Sequence, residues 1–338
     1  MATTRKPRLN TDQLLKGLLA GERSMLAQAI TLAESSLEAD RLSIEQLVEQ
    51  FLPHTGKSIR IGITGVPGVG KSTFIEVFGE LLAKEGRKVA VLTIDPSSEK
   101  SKGSILGDKT RMENLSKNAK VFIRPSPSSL ALGGVSYHTR ESILLCEAAG
   151  FDVILIETVG VGQSETYVRN MVDFFLLMTL AGAGDELQGI KKGIIEMADG
   201  VVITKADGDN MKASVQATAD ARNAIHMLAP PASSWKPKVL AISALENKGI
   251  KEVWEMIIGY QKQVQTSGYF EENRQLQKKK WLEECLESNF REFMNSGAFQ
   301  KKKEEILKEV MKDTLLPTDA AKQLWKSAIT ITAEAQRR

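Results

Sequence analysis

Apolar residues recur at helical spacing from Thr11 to about Ser36, at Leu14, Leu15, Leu18, Leu19, Met25, Leu26, Ile30 and Leu32. They predict one amphipathic helix capped by Asn10 or Thr11. Ser43-Ile44-Glu45-Gln46 has the Ser-x-x-Gln form of a capping box, which predicts a second helix from near Ser43. That helix should stop before Pro53, because the residue ahead of a proline avoids the α region.

From Arg60 the texture changes. Short apolar runs alternate with helical stretches: Ile59–Thr64, Lys88–Ile94, Lys120–Ile123, Asp152–Ile156, Phe174–Thr179, Gly200–Thr204 and Lys238–Ile242. Near-continuous Val/Ile/Leu runs without polar alternation suit strands buried on both faces. Helical connectors between them imply right-handed crossovers and a doubly wound, mainly parallel α/β sheet. After about Gln261 the strands stop, and Lys/Glu-rich helices are predicted over Gln275–Phe293, Lys301–Met311 and beyond Pro317. Trp281, Leu282, Leu286, Phe290 and Phe293 fall on one stripe of the first of these. The expected organisation is a helical extension over 1–55, a nucleotide-type domain over 56–262 and a helical arm over 263–338.

Composition narrows the chemistry. The 338 residues hold 45 Lys plus Arg against 42 Asp plus Glu, a net charge of +3, which predicts neither a nucleic-acid binder nor a polybasic membrane anchor. No apolar run approaches the roughly 20 residues of a membrane span. Two cysteines, Cys146 and Cys285, and three histidines, His54, His138 and His226, lack ligand-like spacing, so they read as packing or surface residues. The basic start MATTRKPRLN resembles a transit-peptide stub, but Asp12, Glu22 and Glu34 follow at once and transit peptides are poor in acids. A cytoplasmic protein is expected.

Gly65-Val66-Pro67-Gly68-Val69-Gly70-Lys71-Ser72 matches G-x-x-x-x-G-K-[ST] in full. It follows an apolar strand and, with Thr73, opens a helical stretch, the context in which the motif binds a nucleoside triphosphate. Gly65, Gly68, Val69 and Gly70 would turn backbone N–H groups around a phosphate at a helix N-terminus. Lys71 would reach the β- and γ-phosphates and Ser72 would ligate magnesium.

Later stations sit at the ends of predicted strands, where open α/β sheets bind ligands. Asp95, ahead of Pro96-Ser97-Ser98, can hold magnesium through water or simply close a turn. Glu157 ends the strand Ile154-Leu155-Ile156 and would act on magnesium or its water shell. Gly160 lets its N–H approach a γ-phosphate. Gln163 can orient a water, or serve equally as a surface residue at a helix start. Thr204-Lys205-Ala206-Asp207 resembles the Asn-Lys-x-Asp base loop, in which the Asp accepts two hydrogen bonds that guanine offers and adenine does not. Lys205 would lay its stem along the base. Thr204 stands where Asn is usual, and its shorter side chain predicts weaker support of the loop. Ser243-Ala244-Leu245 completes the set, with the Ala244 N–H toward guanine O6.

Together ITGVPGVGKST (63–73), LTIDPSS (92–98), GDKTRM (107–112), RPSPSS with LGGV (124–135), ETVGVGQSE (157–165), LAGAGDELQGIKKGI (180–194) and KADGDN (205–210) resemble the MeaB/ArgK-type GTPases, MMAA-related members of the SIMIBI class of P-loop proteins. The resemblance implies a GTP-hydrolysing chaperone that gates adenosylcobalamin loading of an acyl-CoA mutase, such as methylmalonyl-CoA mutase, and protects it from inactivation. It implies GTP/GDP and Mg2+ as ligands, with Asp95, Asp108 and Glu157 joining Ser72 around the metal. It also implies a homodimer joined through C-terminal helices, and a nucleotide-sensing switch at Gly182–Lys192, where the residues alone read as a plain βα connection. Leu130-Ala131 interrupts a stretch that is often glycine-rich. No D-x-H-x-x-G cobalamin motif occurs in the chain. The rival readings are a kinase in basic amino-acid transport, a nickel-insertion GTPase, against which the scattered Cys and His argue, and a scaffold with a degenerate nucleotide site.

Overall fold

The computed structural model describes residues 10–35, 37–95, 112–127, 134–158, 164–181 and 192–335. The single N-terminal helix of the sequence reading is two: α1 (Thr11–Leu19) and α2 (Arg23–Ala33). The break falls at Gly21, whose φ of +76° belongs to the left-handed region, a conformation that glycine adopts at little cost. Asn10 is the cap, accepting a hydrogen bond from the Asp12 N–H. The next helix, α3 (Glu38–Phe51), starts a turn earlier than the capping-box pattern implied. Ser43 lies inside it, donating to the Ala39 carbonyl. Pro53 falls in a 3-10 turn over Leu52–His54.

The seven apolar runs form one parallel sheet. Along the chain follow β1 (Ile59–Gly65), α4 (Lys71–Lys84), β2 (Val89–Asp95), α5 (Glu113–Lys117), β3 (Val121–Pro127), α6 (Gly134–Ala148) and β4 (Val153–Thr158). Then come α7 (Ser164–Arg169), β5 (Phe174–Leu180), α8 (Lys192–Met197), β6 (Gly200–Thr204), α9 (Met211–His226), β7 (Lys238–Ala241) and α10 (Ile250–Thr266). The strand order is β3-β2-β4-β1-β5-β6-β7. β3 runs four residues past its sequence expectation, paired to β2 as far as Asp95 opposite Pro127. Pro125 and Pro127 are tolerated because β3 is an edge strand, where a missing N–H faces no neighbour.

Each face of the sheet buries its own core. Phe74 and Phe78 of α4 stack at 5.1 Å and pack with Trp254 and Tyr260 of α10 over one face. Leu18, Leu26, Ile30, Leu47 and Phe51 of the N-terminal helices join α6 over Ile154 and Ile156 on the other. The N-terminal helices are therefore part of the sheet's core.

The amino edge of the sheet carries a buried charged network. Arg60 grips Glu147 through Nε and Nη2 at 3.0 and 2.9 Å. Arg274 of α11 (Tyr269–Asn295) grips Asp173 at 2.8 and 2.7 Å. Arg169 pairs with Asp199 at 3.3 Å. Burial outweighs the pull of Arg169 and pushes the Asp199 carboxyl up to about 6, whereas Arg60, Ser58 and the Gly56 N–H together hold Glu147 below the usual carboxylate range despite its burial.

The chain divides into two compact units, Met1–Lys278 and Lys279–Arg338. The second contains the rest of α11, then α12 (Gly297–Val310), capped by Ser296, and α13 (Pro317–Ala335), with proline at its first position. Phe293 and Phe299 meet at 5.3 Å, and Phe290 and Trp325 at 6.0 Å. Leu282 and Leu286 of the predicted stripe remain 61% and 60% exposed. Among the described residues no helix is long and apolar enough to cross a membrane.

Candidate nucleotide site

The site is assembled at the carboxyl edge of β1, β4 and β6. After β1 the chain turns through Val66–Gly70, and Gly70 at φ +99° caps α4. Gly65 has no room for a side chain: a Cβ there would lie 2.3 Å from the Met178 carbonyl. The loop therefore passes close to β5, and the N-terminus of α4 opens toward its concave side.

Lys71, 7% exposed, directs its ammonium at the loop's own carbonyls, Gly65 at 2.7 Å and Val66 at 3.3 Å. Burial lowers its pKa, while the carboxylates of Glu157 and Glu165 push the other way. Ser72 donates to Glu157 Oε1 at 3.0 Å. Glu157 is 9% exposed near the end of β4. The following residue, Thr158, donates to the Thr64 hydroxyl at 2.9 Å and fastens the tip of β4 to that of β1. A hydroxyl and a buried carboxylate converging beside a lysine form a hard-oxygen donor set that fits magnesium. Asp95 ends β2 on the same edge, and its side chain lies outside the described residues. Asp108, Gly160, Gln163 and the segment 182–191 lie outside them too.

A cavity of about 190 Å³ opens beside the loop. Its walls include Val69, Gly70, Thr73, Lys205, Asp207, Ala244 and Leu245, which joins the loop motif to both predicted base stations. Ser243, fully buried, donates its hydroxyl to Asp207 Oδ2 and accepts from the Glu246 N–H. It orients the carboxylate. The Ala206 N–H donates to the Ile242 carbonyl at 2.9 Å, tying the two base segments together. Lys205 sits at φ +55°, a conformation uncommon for a residue with a side chain. Such strain is kept where surroundings impose it, often at functional sites.

Two features escaped the sequence reading. The first is Thr204, where the short side chain predicted weak support. Its hydroxyl instead lies 2.8 Å from the Val69 carbonyl and 3.2 Å from that of Thr179, tying the base strand to the phosphate loop and to β5. Removing it from a site 4% exposed strands a buried acceptor, a loss of about 1–3 kcal/mol. Thr204→Val is accordingly expected to weaken guanine-nucleotide binding about tenfold, with Thr204→Ser restoring most of it. Titration with a fluorescent GDP analogue measures both, and equal affinity for Thr204→Val and wild type would refute the tether. The second feature is Glu165, 4% exposed on α7, whose carboxylate acts on Lys71 electrostatically. It closes the ETVGVGQSE segment (157–165), which gave its carboxylate no separate role.

Over residues 26–298 the chain matches the family described as methylmalonyl Co-A mutase-associated GTPase MeaB. It is 47% identical over 311 residues to the Escherichia coli (strain K12) protein named GTPase ArgK, covering 92% of this chain and 94% of that one. It is 45% identical over 327 residues to the Mus musculus protein named methylmalonic aciduria type A homolog, mitochondrial, covering 94% of this chain and 79% of that one. It is also similar to a solved structure described as LAO/AO transport system kinase, at 39% identity and a TM-score of 0.74, covering 95% of this chain and 99% of that one.

Proposed function

We propose, from the premise that this chain belongs to the MeaB family of P-loop GTPases, that it is a GTP-driven chaperone of an adenosylcobalamin-dependent acyl-CoA mutase, methylmalonyl-CoA mutase or a close relative. The observation that carries the reading is the family match over 26–298, which spans the whole candidate site. In this proposal the chain gates cofactor loading and protects the mutase from inactivation.

The geometry supports the proposed roles of the described residues, and the family resemblance supplies those of Asp95, Asp108, Gly160, Gln163 and 182–192. Asp207, oriented by Ser243, receives the guanine edge, with Lys205 along the base and the Ala244 N–H beside it. Lys71 leaves the carbonyls of Gly65 and Val66 for the phosphates, and the N–H groups from Gly68 to Thr73 enclose them. Ser72 and Glu157 would hold Mg2+, with Asp95 and Asp108 assigned to its shell by the family resemblance. When bound, the metal would supply neutralisation of phosphate charge. Gly160 contacts the γ-phosphate and Gln163 positions the attacking water. Catalysis is by positioning and charge, so intrinsic turnover is slow and the partner raises it. Residues 182–192 report the nucleotide state to the mutase. The exposed Leu282 and Leu286 of the second unit support a homodimer formed through the C-terminal helices, with 1–55 and 263–338 as the flanks of the GTPase domain.

GTP hydrolysis and mutase lifetime, followed with and without the organism's own adenosylcobalamin-dependent mutase, test the reading. A low basal rate that rises with mutase, alongside slower mutase inactivation, is expected. No effect in either direction rejects the chaperone role. Because one similar structure is described as a transport-system kinase, labelled γ-phosphate serves as the second arm. Its recovery on a protein phosphoacceptor would support the kinase reading instead.

A further inference from the structure

At the outer edge of the sheet, on β3, lies a second cavity of about 450 Å³, within the usual range for small-ligand sites. Its walls include Arg23 and Ser24 of α2, Phe122, Ile123 and Arg124 of β3, and Ser116 of α5. It shares no lining residue with the cavity beside the phosphate loop, and β2 and β4 stand between β3 and β1. Among the described residues two guanidiniums line it and no acidic side chain does.

Arg23 Nη1 donates to the Asn118 carbonyl at 3.3 Å. Among the described residues this neutral oxygen is its partner, and no carboxylate is. Arg124 Nη2 pairs with Glu34 and lies 3.3 Å from the Thr31 hydroxyl. Its Nε is buried and has no hydrogen-bond partner among the described residues, a costly state for a charged donor. Ser116 spends its hydroxyl on the Glu113 carbonyl at 2.8 Å. The strand adds a backbone donor. The Val89 N–H meets the Lys120 carbonyl at 2.9 Å, and Val91 stands opposite Ile123. Phe122 and Arg124 therefore turn their backbone groups to β2, and Val121, Ile123 and Pro125 turn theirs away. Val121 spends its N–H on the Asn118 carbonyl at 3.1 Å, and Pro125 and Pro127 have none to give. Ile123 is left as the residue of β3 with an outward N–H to offer. An added strand would meet prolines at the next two outward positions, so this edge suits a compact ligand better.

We propose that this cavity binds a small phosphate monoester, at a site separate from the nucleotide site and independent of the mutase reading. Guanidinium groups take phosphate and carboxylate alike. Here the donors come from α2, from a β3 side chain and from the β3 backbone: Arg23 with the Ser24 hydroxyl, Arg124 Nε and the Ile123 N–H. A phosphoryl group offers three terminal oxygens to such a set, whereas a carboxylate offers two in one plane. Its charge would also answer Arg23 and the buried Nε of Arg124. Ala27 and Pro125, half-buried in the wall, supply apolar surface for the organic part of the ester.

Titration calorimetry with phenyl phosphate tests this, on the full chain saturated with GDP and Mg2+ so that the phosphate loop is filled. Saturable binding is expected, with benzoate, the carboxylate on the same ring, binding more weakly. Arg124→Lys keeps a cation for Glu34 but removes Nε, and Arg23→Gln removes the charge on α2. Each should weaken phenyl phosphate at least about tenfold, the equivalent of one charge-assisted hydrogen bond. GDP affinity should stay at the wild-type value in both, because neither residue lines the nucleotide cavity. Arg23 is exposed, so Arg23→Gln carries the test if Arg124→Lys fails to fold. Absence of saturable binding to wild type overturns the proposal, as does binding that either folded variant retains at full strength. Benzoate binding as tight as phenyl phosphate overturns the phosphoryl assignment.

Discussion

Replacing Lys71 with alanine is expected to lower GTP hydrolysis by at least about a hundredfold, in the range seen when one preorganised charge-stabilising donor is removed. Two contributions add. The first is the lost ammonium, which in the proposed reaction meets negative charge spread over the transferring phosphoryl group. The second is what stays behind. Glu157 and Glu165 both act on Lys71 electrostatically, and without it their charges oppose the incoming polyanion. GTP affinity should therefore fall more than GDP affinity, because Lys71 is assigned to the β- and γ-phosphates. Single-turnover hydrolysis and separate GTP and GDP titrations measure these effects. Near-normal turnover by a folded Lys71→Ala protein would remove Lys71 from the mechanism.

Arg274→Ala is expected to destabilise the first unit by about 3–5 kcal/mol, the usual penalty for leaving one member of a buried ion pair alone. Its side chain is 12% exposed and that of Asp173 is 1% exposed. The guanidinium donates twice to that carboxylate and also to the Gly56 and Ser58 carbonyls, each at 2.7 Å. It lies 4.3 Å over the Phe270 ring. Alanine would leave Asp173 with the Arg60 N–H and two carbonyls without these donors. The contrasting case is Arg291, paired with Glu287 at 3.9 Å where both side chains are more than half exposed. Arg291→Ala should cost no more than about 1 kcal/mol, as for other exposed pairs. Denaturant unfolding of each variant, followed by the circular dichroism of the whole chain, separates the two. Equal midpoints for Arg274→Ala and wild type would show that the clamp contributes nothing net.

The strands were the most legible part of the sequence. A run such as Ile154-Leu155-Ile156, flanked by turn residues, has few ways to bury itself except inside a parallel sheet. The phosphate loop was legible for a related reason. Its glycines and lysine serve backbone geometry at adjacent positions, so the chemistry is written locally. Helix limits were less so. The apolar spacing continues across Gly21, and only the packing of α1 on α2, where a Cβ on Gly17 would lie 2.4 Å from Met25 Cγ, shows why the chain turns there. The reach of β3 through Pro125 depended on its being an edge strand, which is a property of strand order.

The sequence by itself determined the α/β class, the position of each strand, the phosphate loop and the two base segments, because each rests on short-range periodicity or on neighbouring residues. Only the tertiary structure decided which distant groups meet. It set Ser72 against Glu157, 85 positions apart, Ser243 against Asp207 and Thr204 against the Val69 carbonyl, 135 positions away. It also placed Arg169 against Asp199. Sheet order and helix seating bring such pairs together, and no local pattern records either. A buried charge or hydroxyl needs a partner, but the fold alone selects which one.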